Sequence, residues 1–202
     1  MSVPLYNVLK SSYESPLQAK EDLMKYGYKF DHRLSNKDNY IFYNPKTKKL
    51  LHTVAGTKNK ADILTDIGLA LGRLKHTQRY KDSHRILREA KKHYQPENTI
   101  LAAHSLGGSI IGYIGDRKDK VITYNKGATI GQKMRPNEIH YRQKNDIVSL
   151  FNASHPQTVE INKPEKKSGL RGSNYVEQNN QIFNNPFSAH DLSNLKDKPI
   201  FI

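Results

Sequence analysis

The chain has 202 residues, no cysteine and a formal net charge of +14, from 33 Lys and Arg against 19 Asp and Glu. That length suits one domain, spanning 1–202, with a sizeable core. The absence of cysteine excludes disulfides and thiolate-held metals, and no apolar run approaches the ~18 residues of a membrane span. The positive excess attracts phosphate, whether on nucleic acid or on anionic lipid. The basic residues are scattered, however, over Lys46–Lys49, Lys58–Lys60, Arg85–Lys92 and Lys163–Lys167, without interleaved aromatics. That scatter argues against a specific nucleic-acid site and leaves peripheral contact with an anionic membrane as the partner it favours. Met1-Ser2-Val3-Pro4-Leu5-Tyr6 has no basic segment followed by an apolar one. A cleavable signal is therefore not expected, and an intracellular or particle-packaged location is favoured over secretion.

In chain order, Ser15-Pro16 reads as the cap and first residue of a helix over Leu17–Lys25, ending near Gly27. Tyr40–Tyr43 reads as a strand, Asn44-Pro45-Lys46-Thr47 as a turn, and Leu50–Ala55 as the returning strand of a hairpin. After Gly56-Thr57, the helical spacing of Ile63, Leu64, Ile67, Ala70 and Leu71 predicts a helix from Ala61 to Leu74. A second helix, Asp82–Tyr94, turns Ile86, Leu87 and Ala90 inward and its basic residues outward. Strands follow at Thr99–Ala103, Lys120–Tyr124 and Ile139–Arg142, with a small-residue helix over Ser109–Ile114. From Asn152 to Ala189 the chain is polar, and only Thr158–Ile161 suggests regular structure there. Strands alternating with helices predict an α/β fold of three layers with a mostly parallel sheet.

The segment that carries chemistry is Ala103-His104-Ser105-Leu106-Gly107-Gly108. A serine between a strand and a helix, with small residues two before and two after it, has the context of a nucleophile elbow. The turn lifts the hydroxyl off the sheet and aims the helix N-terminus at it, where backbone N–H groups stabilise an oxyanion. Such a serine needs a base, and the base needs an acid to orient it. In α/β-hydrolases these follow in the order Ser, acid, His. Asp146 follows a predicted strand and fits that order. Asp116 and Asp119 lie at the far end of the elbow helix, and Asp197 comes after the last histidine. Among the histidines His190, in a late loop before a short helix, is the first choice and His155 the second. His140 reads as a strand residue and precedes Asp146.

These residues resemble the class 3 lipases of the α/β-hydrolase fold. The likeness runs through Val54-Ala55-Gly56-Thr57, Asp62 to Asp66, the elbow, Val121 to Asn125, Asn145-Asp146-Ile147-Val148 and His190, and spans roughly Leu50 to Asp191. It departs from the family pattern at Ala55, where an arginine is usual, and at Ala103, where a glycine is. No long apolar lid follows Gly56-Thr57, so a cover would come from the Asn152–Ala189 region. The resemblance implies an oxyanion hole from Thr57 and the Leu106 N–H, with Asp66 fixing the hole residue. It also implies Ser105, Asp146 and His190 as a triad, a lipid or other carboxylic ester as substrate, and no cofactor or metal. The competing expectation is a lipase-like fold kept as a structural or anionic-membrane-binding protein with weak or no activity.

Overall fold

Central strands buried on both faces set the layers of this protein. The structure is a computed structural model that describes residues 2–57, 72–127, 132, 134–161 and 188–202. Two short helices open it, α1 (Leu5–Ser11) and α2 (Pro16–Met24), the second capped by Ser15, whose hydroxyl accepts from the Gln18 N–H as the Ser-Pro pair predicts. Strands β1 (Lys29–Phe30), β2 (Asn39–Asn44) and β3 (Lys49–Val54) follow. The Asn44 side chain closes the predicted hairpin turn by accepting from the N–H groups of Lys46 and Thr47. Helix α3 (Gln78–Tyr94), β4 (Asn98–His104), α4 (Leu106–Ile114), β5 (Lys120–Tyr124), β6 (Glu138–Gln143) and β7 (Thr158–Ile161) complete the regular elements. Among the described residues the strands form one seven-stranded sheet in sequence order. β1 to β3 pair antiparallel and β3 to β7 parallel.

Residues of opposite parity on each strand face opposite helical layers. Phe42, Leu51, Ile100, Ala102, Ile122 and Tyr124 pack with Val8 and Leu9 of α1 and Ala19 and Leu23 of α2. On the other face, Val54, Leu101, Ala103 and Val121 meet Leu87 of α3 and Ile110, Ile111 and Ile114 of α4. The C-terminal residues pair back onto the start of the chain, with Val3 and Ile202 exchanging backbone hydrogen bonds at 3.1 and 2.9 Å. The expected three-layer α/β fold is therefore observed.

Two helices differ most from the reading of the sequence. Helix α3 starts one turn before Asp82, because the Thr77 hydroxyl accepts from the Tyr80 N–H and caps the helix well ahead of its first buried aliphatic, Ile86. Helix α1, which no pattern announced, is a two-turn element whose Leu5, Val8 and Leu9 are completely buried. The helix expected from Ala61 to Leu74, and Asp66 with it, falls outside the described residues except at 72–74.

Candidate active site

Parallel pairing brings the C-terminal ends of β3, β4, β5 and β6 to one edge, where chain reversals leave backbone groups and side chains open for chemistry. At the end of β4 the chain turns directly into α4 through Ser105. This serine has φ +56° and ψ −129°, a conformation that side-chain-bearing residues rarely adopt. Its surroundings hold it there. The Ser105 N–H donates to the Tyr124 carbonyl at 3.1 Å, and its own carbonyl accepts from Gly108 at 2.9 Å and Gly127 at 3.1 Å. The tight turn also explains the small residue two positions on. A Cβ at Gly107 would lie 2.3 Å from the Val54 carbonyl oxygen and 2.7 Å from that of Ala55.

Ser105, His190 and Asp146 form one buried hydrogen-bonded line. The Ser105 hydroxyl lies 2.7 Å from His190 Nε2, and His190 Nδ1 lies 2.9 Å from Asp146 Oδ1. A carboxylate only accepts, so Nδ1 carries the proton and Nε2 is left to accept from the serine hydroxyl. Burial pushes the Asp146 carboxyl up. Hydrogen bonding to His190, the attraction of its ring, and hydrogen bonds from Ser149 and the Val148 N–H outweigh it, so the carboxyl sits below its usual range and stays ionised. Arg142, itself buried, braces the acid loop from below. Its Nη2 donates to the Asp146 carbonyl at 3.1 Å while Nη1 pairs with Glu160 at 2.5 Å.

The histidine loop is pinned through two successive carbonyls. Asn125 Nδ2 donates to the Ala189 carbonyl at 3.0 Å, and His104 Nε2 to the His190 carbonyl at 2.8 Å. Because that carbonyl can only accept, His104 carries its proton on Nε2. Its Nδ1 then accepts from the Tyr13 hydroxyl at 2.8 Å, and Tyr13 in turn accepts from the Gly56 N–H at 2.8 Å. Burial, and next the neighbouring His190, hold His104 down at about 3, so it is a neutral link.

The sequence-selected residues are thus placed as follows. Ser105, Asp146 and His190 come together, and Leu106 opens α4, where a helix N–H has no intrahelical acceptor. Thr57 follows Gly56, whose Cα abuts Ser105: a Cβ there would meet the Ser105 Cβ at 2.9 Å and the His104 carbonyl at 2.8 Å. Asp66 lies outside the described residues. His155 sits in the turn before β7, its Nδ1 accepting from the Gln157 N–H. Asp116 and Asp119 pair with Lys91. Among the described residues no group of three or more His, Asp or Glu side chains has the geometry to hold a metal ion.

Comparison with solved structures decides the architecture. The chain is similar to a triacylglycerol lipase described as having a serine-protease triad at its catalytic centre, with a TM-score of 0.54 at 12% identity over 94% of this chain and 90% of that one. It is also similar to the lipase of Rhizopus microsporus var. chinensis, with a TM-score of 0.51 at 15% identity over 78% of this chain and 72% of that one. The chain has the α/β-hydrolase fold of these lipases. The resemblance read from its motifs holds at the level of fold. No protein-family model and no curated protein matches the chain. Sequence reasoning missed Tyr13, Arg142 and the role of His104 as a link. Only His104 carried a signal, as a polar residue in an otherwise apolar strand next to the candidate nucleophile.

Proposed function

We propose that this protein is a serine hydrolase that cleaves carboxylic esters, with lipid esters as the substrate class. The observation that carries this reading is the unbroken line from the Ser105 hydroxyl through His190 to Asp146, at 2.7 and 2.9 Å, on a strained strand–helix turn. Ser105 attacks the ester carbonyl while His190 Nε2 takes the hydroxyl proton. The oxyanion is stabilised by the N–H groups of Leu106 and Thr57, each worth about 3 kcal/mol. His190 returns the proton to the leaving alcohol, giving an acyl-serine, and then activates water to release the acid. Asp146 stays ionised throughout, fixing the tautomer and stabilising the imidazolium. The lipase fold supports an ester as substrate. Labelling with a fluorophosphonate is expected to give one adduct on Ser105 at neutral pH, read by peptide mass spectrometry. An intact Ser105 after prolonged exposure of folded protein would remove the proposal.

A second property rests on α3, whose exposed Lys81, Arg85, Arg88 and Lys92 make a basic outer face. This face favours contact with an anionic membrane, at about 1 kcal/mol per basic residue near the surface. Sedimentation with phosphatidylserine vesicles is expected to carry the protein down at low salt. Binding should fall by about tenfold or more when salt is raised to 0.5 M, where screening shortens to a few Å. Equal sedimentation with neutral phosphatidylcholine vesicles would argue against a charge-driven contact. Among the described residues no helix is long and apolar enough to cross a membrane.

A further inference from the structure

The loop that leaves β3 toward the nucleophile is held from two opposite sides, and one of the holders comes from a helix with no part in the triad. Arg79 is the second residue of α3. The capped start of that helix gives it a rigid base: the Thr77 hydroxyl accepts from the Tyr80 N–H and donates to the Leu74 carbonyl. From there Arg79 Nη2 donates to the carbonyl of Ala55 at 2.6 Å and to that of Gly56 at 3.3 Å. Its Nε lies 3.8 Å from the Asp38 carboxylate, and the Asp38 carbonyl accepts from the Ala55 N–H at 2.9 Å.

Peptide planarity turns these contacts into a statement about the oxyanion loop. The Ala55 carbonyl and the Gly56 N–H belong to one plane and point in opposite directions. Arg79 holds the first and Tyr13 Oη the second, at 2.8 Å. The next plane joins the Gly56 carbonyl to the Thr57 N–H. With the carbonyl drawn to Arg79, the Thr57 N–H is aimed the other way, off the α3 side of the loop. Tyr13 is bound in turn to His104, and His104 to the backbone of His190. A single bonded path therefore runs from Arg79 across the Ala55–Gly56 peptide to the general base.

We infer that Arg79 is a positioning residue of the hydrolytic site: acting against Tyr13, it sets the orientation of the two peptides that present the Thr57 N–H to the developing oxyanion. The inference rests on the hydrolase reading above and adds to it a residue that never touches substrate. The two N–H groups of one Nη2 serve two successive carbonyls while Nε faces Asp38, and a lysine has no second nitrogen to keep both engagements at once. Position 55 is alanine, and the guanidinium that holds its carbonyl comes from α3.

Arg79→Ala and Arg79→Lys test this, with active sites counted by fluorophosphonate titration so that rates refer to folded protein. Losing a whole oxyanion donor costs about 10²- to 10³-fold in kcat, so a misaimed one should cost about 10- to 100-fold. For p-nitrophenyl butyrate the expected result is that fall in kcat with KM within about threefold, and a matching rise in the Ki of an alkylboronic acid, whose tetrahedral adduct uses the same hole. Arg79→Lys should fall between the two. A purely structural role would lower the melting temperature and the titrated fraction while leaving kcat per active site and the boronate Ki in place, and that result overturns the assignment. If Arg79→Ala does not fold, Arg79→Lys decides by the same two constants. A wild-type protein inert to fluorophosphonate and to esters would instead overturn the hydrolase reading, and this inference with it.

Discussion

Ser105→Ala is expected to lower kcat toward a carboxylic ester by about 10⁴- to 10⁶-fold, the range seen when the nucleophile of a Ser-His-Asp site is removed. That is roughly 5–8 kcal/mol of transition-state stabilisation. KM should change little, because the hydroxyl acts chiefly in the transition state. The elbow adds a second expectation, about stability. Ser105 stands at φ +56° and ψ −129°, and such a conformation costs about 1–3 kcal/mol for a residue with a Cβ. Ser105→Ala loses the hydrogen bond to His190 and keeps the strain, whereas Ser105→Gly loses the bond and relieves the strain. Glycine should therefore be the more stable of these two inactive variants by about 1 kcal/mol, the reverse of the usual order in which alanine wins through unfolded-chain entropy. Urea unfolding of the pair measures this. An alanine variant more stable than the glycine variant would show that the turn is not strained, and residual activity of Ser105→Ala near the wild-type level would remove Ser105 as nucleophile.

The elements that position this site were legible where local chemistry decides them. Ser15-Pro16 starts α2, the Asn44 turn joins β2 to β3, and the short β-branched and aromatic run Val121–Tyr124 makes β5. The elbow was legible because its geometry demands small neighbours, and the sequence supplies Ala103 and Gly107. Asp146 and His190 needed more than local chemistry. They lie 44 positions apart and meet only because parallel pairing carries β6 beside β5 and the late loop returns over both. Chain order narrowed them, but two histidines stayed open until the fold placed His190 against Ser105. The residues that hold the site in register were not legible at all. Tyr13 reaches His104 across 91 positions and Arg79 reaches Ala55 across 24, through contacts that depend on how helices dock on a sheet. From the sequence, Arg142 is only the last residue of a strand, and nothing there marks it as buried. It is buried because Glu160, Ser149 and the Asp146 carbonyl share its guanidinium.

The same burial that orders this interior should make the protein unfold in acid well above pH 3. His52, His104 and His140 are almost wholly buried, and each is held down at about 3. Burial is the largest cause for all three, followed by the charge of Lys91 for His52, the neighbouring His190 for His104, and the charge of Lys126 for His140. A histidine of the unfolded chain titrates near 6.5, so between about 6.5 and 3 the unfolded state binds protons that the folded state refuses. Stability then rises with pH across that window, is complete above it, and is lost as pH falls through it. One such proton is worth about 1.4 kcal/mol per pH unit, and three give about 4 once all are charged in the unfolded chain. A domain stability on the order of 10 kcal/mol is consumed about two and a half units below 6.5, so half-unfolding is expected near pH 4. Asp146 acts lower down. Its depressed carboxyl favours the folded state above the unfolded value near 3.9 and withdraws that support only as pH falls further. Circular dichroism against pH at fixed ionic strength should show a transition with a proton uptake of about three. His52→Gln, which keeps an amide donor for the Asn39 side chain that His52 bonds at 3.0 Å, should reduce that uptake to about two and move the midpoint to lower pH. A wild-type chain still folded at pH 3, or a midpoint that His52→Gln leaves in place, would mean that these rings take up their protons inside the fold.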